Sequence, residues 1–210
     1  MTAWPLAAAS RPHVIAFGSW TSVKWMVGPE QKNTVDLKIR GLYIDGQVRE
    51  FTVGAAHDIT QTIFAVQGAT RLNDALPQDS AAVAHWQWER GGWLLVNRET
   101  GHIAALNLPD FDSYYSVGSW YRDYFAYCGI SAGENKRYAI VVETGKRKPI
   151  VRQAFGQAPK DAMPDSRCAA PVWARQPARV TFSASGEKQS ATYAIRDHAG
   201  AVSTEEHAEE

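Results

Sequence analysis

The sequence predicts an all-β protein built from repeated antiparallel hairpins. Strict alternation in the segment VDLKIR places Val35, Leu37 and Ile39 on one face, which is the two-residue period of a half-buried strand. The pair Asp45-Gly46 follows. Asp-Gly between two apolar strands is a strong hairpin signal, because both central positions of the favoured turn need a positive φ angle. Segments with a helical pattern are sparse.

The chain also resembles itself over a distance of about one hundred residues. A segment that starts at Gly18 can be laid over one that starts at Gly118, and both begin Gly-Ser-Trp and end in an apolar hairpin. A looser pair of segments starts at Trp86 and Trp173. Recurrence of roughly 40–50 residues with internal hairpins is typical of radially repeated or duplicated β architectures. We therefore predict one β domain over residues 13–198 whose two copies start near residues 18 and 118.

The remaining strands follow from apolar runs that end at turn residues. The run TIFAVQ is rich in Thr, Ile, Phe and Val, so a strand is favoured there over a helix. The runs GWLLV and RYAIVV are apolar on both faces, which suits strands packed between two layers. The predicted hairpins are QVREFTV returning from VDLKIR, HIAAL returning from GWLLV, PIVRQAF returning from RYAIVV, and PARVTF with SATYAI.

Two of these hairpins, with the segment that precedes the second, resemble inner strands of β-propeller blades. They are WLLVNRETGHIAALNL and RYAIVVETGKRKPIVRQAF, the latter preceded by SWYRDYFAYCGIS. The resemblance covers about half of the chain and implies a small or partial β-propeller-like domain. A duplicated β-sandwich or barrel fits the strand count equally well. Propellers host many unrelated functions, so the resemblance implies no catalytic residues.

Composition limits the classes of partner. Hydrophobic residues make up 45% of the 210 residues and charged ones 21%, which is typical of a globular protein. The 22 basic and 22 acidic residues cancel, so no overall field attracts nucleic acid. We therefore do not expect nucleic-acid binding, although six basic residues lie on one hairpin. They are Lys136, Arg137, Lys146, Arg147, Lys148 and Arg152. No apolar run approaches the ~18–20 residues of a membrane-spanning helix.

The two ends and a linker lie outside the predicted strands. Residues 1–12 read either as a flexible N-terminus or as the remnant of a leader, with small residues at Ala7 and Ala9. The leader interpretation predicts a secreted or periplasmic protein, and the other a cytoplasmic one. Residues 157–171 form a Pro-rich linker, and residues 199–210 an acidic disordered tail.

The two cysteines, Cys128 and Cys168, leave two alternatives open. An oxidising compartment would favour a disulfide between them. Alternatively, Cys128 lies in the apolar run FAYCGI and packs as a small buried hydrophobic residue with a free thiol.

One cluster of polar and aromatic residues is the candidate binding site. Flat aromatic faces beside carboxylates and a guanidinium suit a sugar or a peptide. The same rings would also fill a gap between two sheets. We predict a non-catalytic binding or protein-interaction module that needs no cofactor. Its candidate residues are Asp110, Asp112, Tyr114, Tyr115, Trp120, Tyr121, Arg122 and Asp123.

The alternative is a serine hydrolase. Gly129, Ser131 and Gly133 match the G-x-S-x-G spacing that exposes a nucleophilic serine after a strand. Asp161 or Asp165 and then His198 follow in the order of that class. The motif requires a helix after the turn, whereas a β-branched run follows here. The six histidines form no close pair and the two cysteines lie far apart, so no metal site is predicted.

Overall fold

The fold is described by a computed structural model that covers most of the chain. It describes residues 12–26, 34–73, 86–131, 133, 136–157, 168–183, 190–196 and 204–205. Within these residues the chain forms strands and no helix, so the all-β prediction is confirmed. Most of the predicted N-terminal segment, of the linker and of the acidic tail lies outside the described residues.

The first sheet, sheet A, contains seven antiparallel strands. They are β1 (Ile15–Phe17), β2 (Thr21–Met26), β3 (Thr34–Ile44), β4 (Gln47–Asp58), β5 (Ile63–Asn73), β6 (Trp86–Asn97) and β7 (Ile103–Ala105). Strands β3 to β7 follow one another across the sheet, and β1 and β2 both pair with β3 at its edge. Sheet A curls, so that β2 also approaches β6.

The predicted Asp-Gly hairpin is the β3–β4 turn. Ile44 pairs with Gln47 across it, and Asp45 and Gly46 have φ angles of 54° and 79°. Both central residues therefore adopt the positive φ that the turn requires. The strand prediction for TIFAVQ is also confirmed, since Ile63 begins β5.

Two four-stranded sheets follow, and each is a simple meander. Sheet B contains β8 (Gly118–Tyr121), β9 (Tyr124–Ser131), β10 (Lys136–Glu143) and β11 (Val151–Gln157). Sheet C contains β12 (Val172–Arg175), β13 (Ala178–Ser183), β14 (Ser190–Ala194) and β15 (Thr204–Glu205). None of the three sheets, as described, closes on itself. The segments that begin at Gly18 and Gly118 belong to different sheets, and their common origin stays a prediction.

Sheet B is the middle layer of the molecule. On one face, Tyr124, Ala126 and Cys128 of β9 pack with Val180 and Phe182 of sheet C. The alternate residues of β9 point the other way and form a second cluster. It contains Phe125, Tyr127, Tyr138, Ile140 and Val142, packed against Trp93, Leu108, Phe111 and Trp120. The prediction that RYAIVV is buried on both faces is therefore confirmed, since residues 137–142 are all buried.

Cys128 and Cys168 are joined in a disulfide, with their Cα atoms 6.2 Å apart. Cys128 lies in β9, and Cys168 lies shortly before β12. The bond therefore ties the middle layer to the segment that leads into sheet C. No helix in the described residues is long and apolar enough to cross a membrane.

Candidate functional site

An open cleft of about 380 Å³ lies where the three sheets meet. Sheet A contributes His57, near the end of β4. Sheet B contributes Trp120 and Tyr121 from β8 and Arg122 from the β8–β9 turn. Sheet C contributes Arg175, the last residue of β12. A cleft that several packed units share is a common place for a ligand site.

The β8–β9 turn places Arg122 at the cleft. Tyr121 pairs with Tyr124, which leaves Arg122 and Asp123 as a two-residue turn. Arg122 has a φ angle of 54°, which is uncommon for a residue with a Cβ atom. A residue outside the turn stabilises it, because the backbone N–H of Thr144 donates a hydrogen bond to the carbonyl of Asp123 at 2.9 Å. The packing of sheet B therefore fixes a backbone conformation that the residue itself disfavours.

His57 is fixed by two contacts, both to sheet B. Its Nε2 lies 2.6 Å from the backbone carbonyl oxygen of Arg122. A carbonyl only accepts hydrogen bonds, so Nε2 carries the proton and donates. The imidazole ring also stacks on Trp120, with 5.0 Å between ring centroids and 16° between planes.

The aromatic rings of the cleft are already packed against the protein. Besides His57, Trp120 contacts Phe125 at 4.6 Å and Trp93 at 5.5 Å between centroids. Tyr121 stacks on Trp173 at 5.3 Å, and the guanidinium carbon of Arg122 lies 5.3 Å from the Tyr121 ring. These rings form a rigid wall. Within this wall, Trp120 Nε1 is buried and has no hydrogen-bond partner among the described residues.

Cationic side chains line part of the cleft. Among the described residues of its lining, two carry a guanidinium, one carries an imidazole and none carries a carboxylate. Arg175 is exposed and makes no ion pair within the part of the chain that the structure describes. An arginine side chain is always charged and presents a planar fork of N–H donors. The arrangement therefore suits an acceptor-rich group with negative charge.

Three of the eight predicted site residues line this cleft, namely Trp120, Tyr121 and Arg122. Asp123 shares the turn with Arg122 but is not a lining residue. The other four lie outside the cleft, where their contacts are within the protein.

Asp112 organises its own loop. Its Oδ1 accepts hydrogen bonds from the backbone N–H groups of Tyr114 and Tyr115, at 2.8 and 3.1 Å. The Tyr114 ring packs against Tyr115 and against Trp25 of β2. These contacts match the alternative interpretation that the rings fill space between elements.

Asp110 is held by sheet B. Its Oδ2 accepts hydrogen bonds from Nε and Nη2 of Arg152, at 3.0 and 2.9 Å. Burial, reinforced by the charge of Asp110, raises the pKa of Tyr127. The Tyr127 hydroxyl therefore stays protonated and donates to the carbonyl of Pro109 at 2.6 Å.

His57 and Arg175 were missed by the sequence interpretation. Each lies in a different sheet from the Trp120–Arg122 segment, and no local motif surrounds either one. A long-range contact prediction would be needed to bring them together.

The G-x-S-x-G motif around Ser131 does not lie in the strand–turn–helix context that a serine hydrolase requires. Ser131 is the last residue of β9 and pairs with Lys136, the first residue of β10. The segment after the turn is thus a strand, where a nucleophile elbow requires a helix. Asp161, Asp165 and His198 lie outside the described residues. The described residues contain no group of three or more His, Cys, Asp or Glu side chains that could hold a metal ion.

The six basic residues of the β10–β11 hairpin do not form one surface. Arg137 is buried, and Arg152 is bonded to Asp110 and lies over the Tyr138 ring at 3.9 Å. Lys146 is 3.8 Å from Glu143.

No protein-family model matches the chain, and no curated protein matches it.

Proposed function

We propose that this protein is a non-catalytic binding or protein-interaction module and that its ligand, a peptide or a glycan, binds in the three-sheet cleft. The observation that carries the proposal is the convergence of His57, Arg122 and Arg175, one from each sheet. Polar side chains held on rigid strands around a concave surface are what selective binding needs.

The composition of the cleft favours binding over catalysis. The described residues of its lining include no serine, cysteine or carboxylate that could act as a nucleophile or general base beside His57. His57 already donates its Nε2 proton to a backbone carbonyl and is stacked on Trp120. Both contacts give the imidazole a positioning role in the wall of the cleft.

The proposal includes export to an oxidising compartment, where a disulfide such as Cys128–Cys168 persists. It also includes a propeller-like relationship for sheets B and C, since propeller blades are four-stranded sheets and each of these two is a four-stranded meander.

A thermal-shift panel of peptides, glycans, metal ions and short nucleic acids tests the function. A ligand that binds only the folded protein stabilises it by about 2.7 kcal/mol at a hundredfold excess over its dissociation constant. We expect one ligand class to raise the unfolding midpoint. We expect Arg175→Ala to abolish that shift while the unliganded midpoint changes little, because Arg175 is exposed. A shift that persists unchanged in Arg175→Ala and Arg122→Ala would place the ligand elsewhere and contradict the proposal.

A further inference from the structure

We infer, on the basis of the function proposed above, that the ligand of the cleft is an acidic peptide whose side-chain carboxylate is held by Arg175. The inference rests on the charge of the cleft, on the state of its aromatic rings and on its size.

The charge of the cleft is local. The whole chain has as many acidic as basic residues, so its overall field selects no partner. The described part of the cleft lining, in contrast, contains Arg122 and Arg175 and no carboxylate. Arginine pairs with a carboxylate through two parallel N–H···O hydrogen bonds, which are stronger than hydrogen bonds between neutral groups. The cleft therefore discriminates in favour of an anionic ligand.

The aromatic rings argue against a neutral sugar. Sugars are recognised by packing their rings on an aromatic face, and the two rings of the cleft already pack on protein neighbours. The Trp120 ring stacks on His57, and the Tyr121 ring stacks on Trp173, with 5.0 and 5.3 Å between the ring centroids. The guanidinium carbon of Arg122 also lies 5.3 Å from the centre of the Tyr121 ring, so both rings already have partners within the protein.

The size of the cleft suits a short stretch of chain. Its volume of about 380 Å³ is at the small end of ligand sites. An open cleft of this size admits one or two side chains and lets a peptide continue beyond it on either side. A nucleic acid, in contrast, is held by a track of many cations, whereas the described lining of the cleft contains two guanidiniums.

The test uses peptides whose ends are blocked, so that side-chain carboxylates are their only charges. The probe is Ac-Gly-Glu-Glu-Gly-NH₂ and its uncharged match is Ac-Gly-Gln-Gln-Gly-NH₂. Oligogalacturonate supplies carboxylates on a sugar, and a neutral oligosaccharide of equal length is its match. Isothermal titration calorimetry on the wild-type protein compares the four dissociation constants in low salt.

We expect the glutamate peptide to bind at least about tenfold more tightly than the glutamine peptide, since a hydrogen bond to a charged group is lost in the latter. We expect Arg175→Gln to weaken binding by about tenfold or more, since it removes the charged donor of that hydrogen bond. Arg49→Gln removes the same charge from an exposed position near the other end of β4 and should bind as the wild type does.

Equal affinity for the two peptides, or no binding of either, would overturn the inference. Tighter binding of oligogalacturonate than of the glutamate peptide would overturn it in favour of an acidic sugar. These comparisons use only the wild-type protein, so they hold even if a variant does not fold. If another ligand class binds and Arg175→Ala abolishes that binding, the proposed function stands while the acidic-peptide inference fails. If no ligand depends on Arg122 or Arg175, both fail.

Discussion

The imidazole of His57 donates a hydrogen bond from Nε2 to the backbone carbonyl of Arg122 at 2.6 Å. The bond joins sheet A to the β8–β9 turn of sheet B at the wall of the cleft. Its acceptor is a main-chain atom, so a substitution at position 122 removes the positive charge and leaves the acceptor in place. The shape of the cleft and its charge can therefore be changed separately.

His57 contributes to stability through both its hydrogen bond and its ring. We expect His57→Phe to lower the free energy of unfolding by about 1 kcal/mol, because the ring on Trp120 is kept and the hydrogen bond is lost. His57→Ala should cost about 1 kcal/mol more, because the ring contact is lost as well. Urea unfolding measures both variants. An equal loss in the two would show that the ring contact contributes nothing.

The positive φ of Arg122 has a stability cost that glycine would remove. We expect Arg122→Gly to unfold with a free energy about 1 kcal/mol higher than that of Arg122→Ala, because alanine keeps the strain of a Cβ atom at φ 54°. Both variants lose the guanidinium, so they differ only in the backbone term. Equal stability of the two by urea unfolding would mean that the turn is not strained in solution.

Gly118 allows the aromatic core of sheet B to pack closely. A Cβ atom at this position would lie within the space that the Phe125 ring occupies. We therefore expect Gly118→Ala to destabilise the protein by about 1–3 kcal/mol. Gly92 of β6 is the matched control, since a Cβ atom there would meet nothing within 4 Å. Thermal unfolding should show a large drop for Gly118→Ala and a change within about 0.5 kcal/mol for Gly92→Ala.

The Cys128–Cys168 disulfide closes a loop of 40 residues. The chain-entropy model gives about 4 kcal/mol of stabilisation for a loop of that length. We expect the double variant Cys128→Ala/Cys168→Ala to lose about that much free energy of unfolding. A thiol assay on denatured, unreduced protein checks the premise. Two reactive thiols per chain in that assay would contradict the disulfide.

The carboxyl group of Asp45 should make stability depend on acid pH. The backbone N–H of Val14 donates to it at 3.0 Å, and His13 lies 2.7 Å away. The hydrogen bond from Val14, followed by that from His13, lowers the pKa of Asp45. Its stabilising effect is therefore complete above the unfolded pKa of about 4 and is lost as the pH falls through the lower folded pKa.

Asp45→Asn removes this titration. We expect the unfolding midpoint of the variant to fall less steeply than that of the wild type as the pH is lowered from about 5 to about 2. Parallel curves for the two proteins would show that Asp45 does not contribute to the acid dependence.

Local patterns were sufficient for the strands and the tight turns. The alternation of VDLKIR and the Asp45-Gly46 pair act within a few residues, so the β3–β4 hairpin was predicted from sequence. The runs GWLLV and RYAIVV look alike, yet Leu94 and Leu95 are only partly buried while residues 137–142 are buried. Which run becomes the middle layer depends on how sheets pack, and a single run does not contain that information.

Sequence reasoning identified only those residues of the candidate site that are adjacent in sequence. These are Trp120, Tyr121 and Arg122, which form one short segment of aromatic and charged side chains. Asp110 and Asp112 have the same chemistry but bond to an arginine and to a turn backbone. His57 and Arg175 join the site only through packing of separate sheets, and sequence reasoning on local motifs cannot detect such a meeting.

The middle position of sheet B restricts how this part of the protein can evolve. Successive residues from Tyr124 to Cys128 face opposite layers, and each is at most 4% exposed. A strand with one solvent-exposed face tolerates substitution of every second residue with little loss of stability. The segment from Tyr124 to Cys128 has no such face. We therefore expect substitutions to accumulate in the outer strands rather than in β9. The strand that supports the turn with Arg122 should accordingly change least.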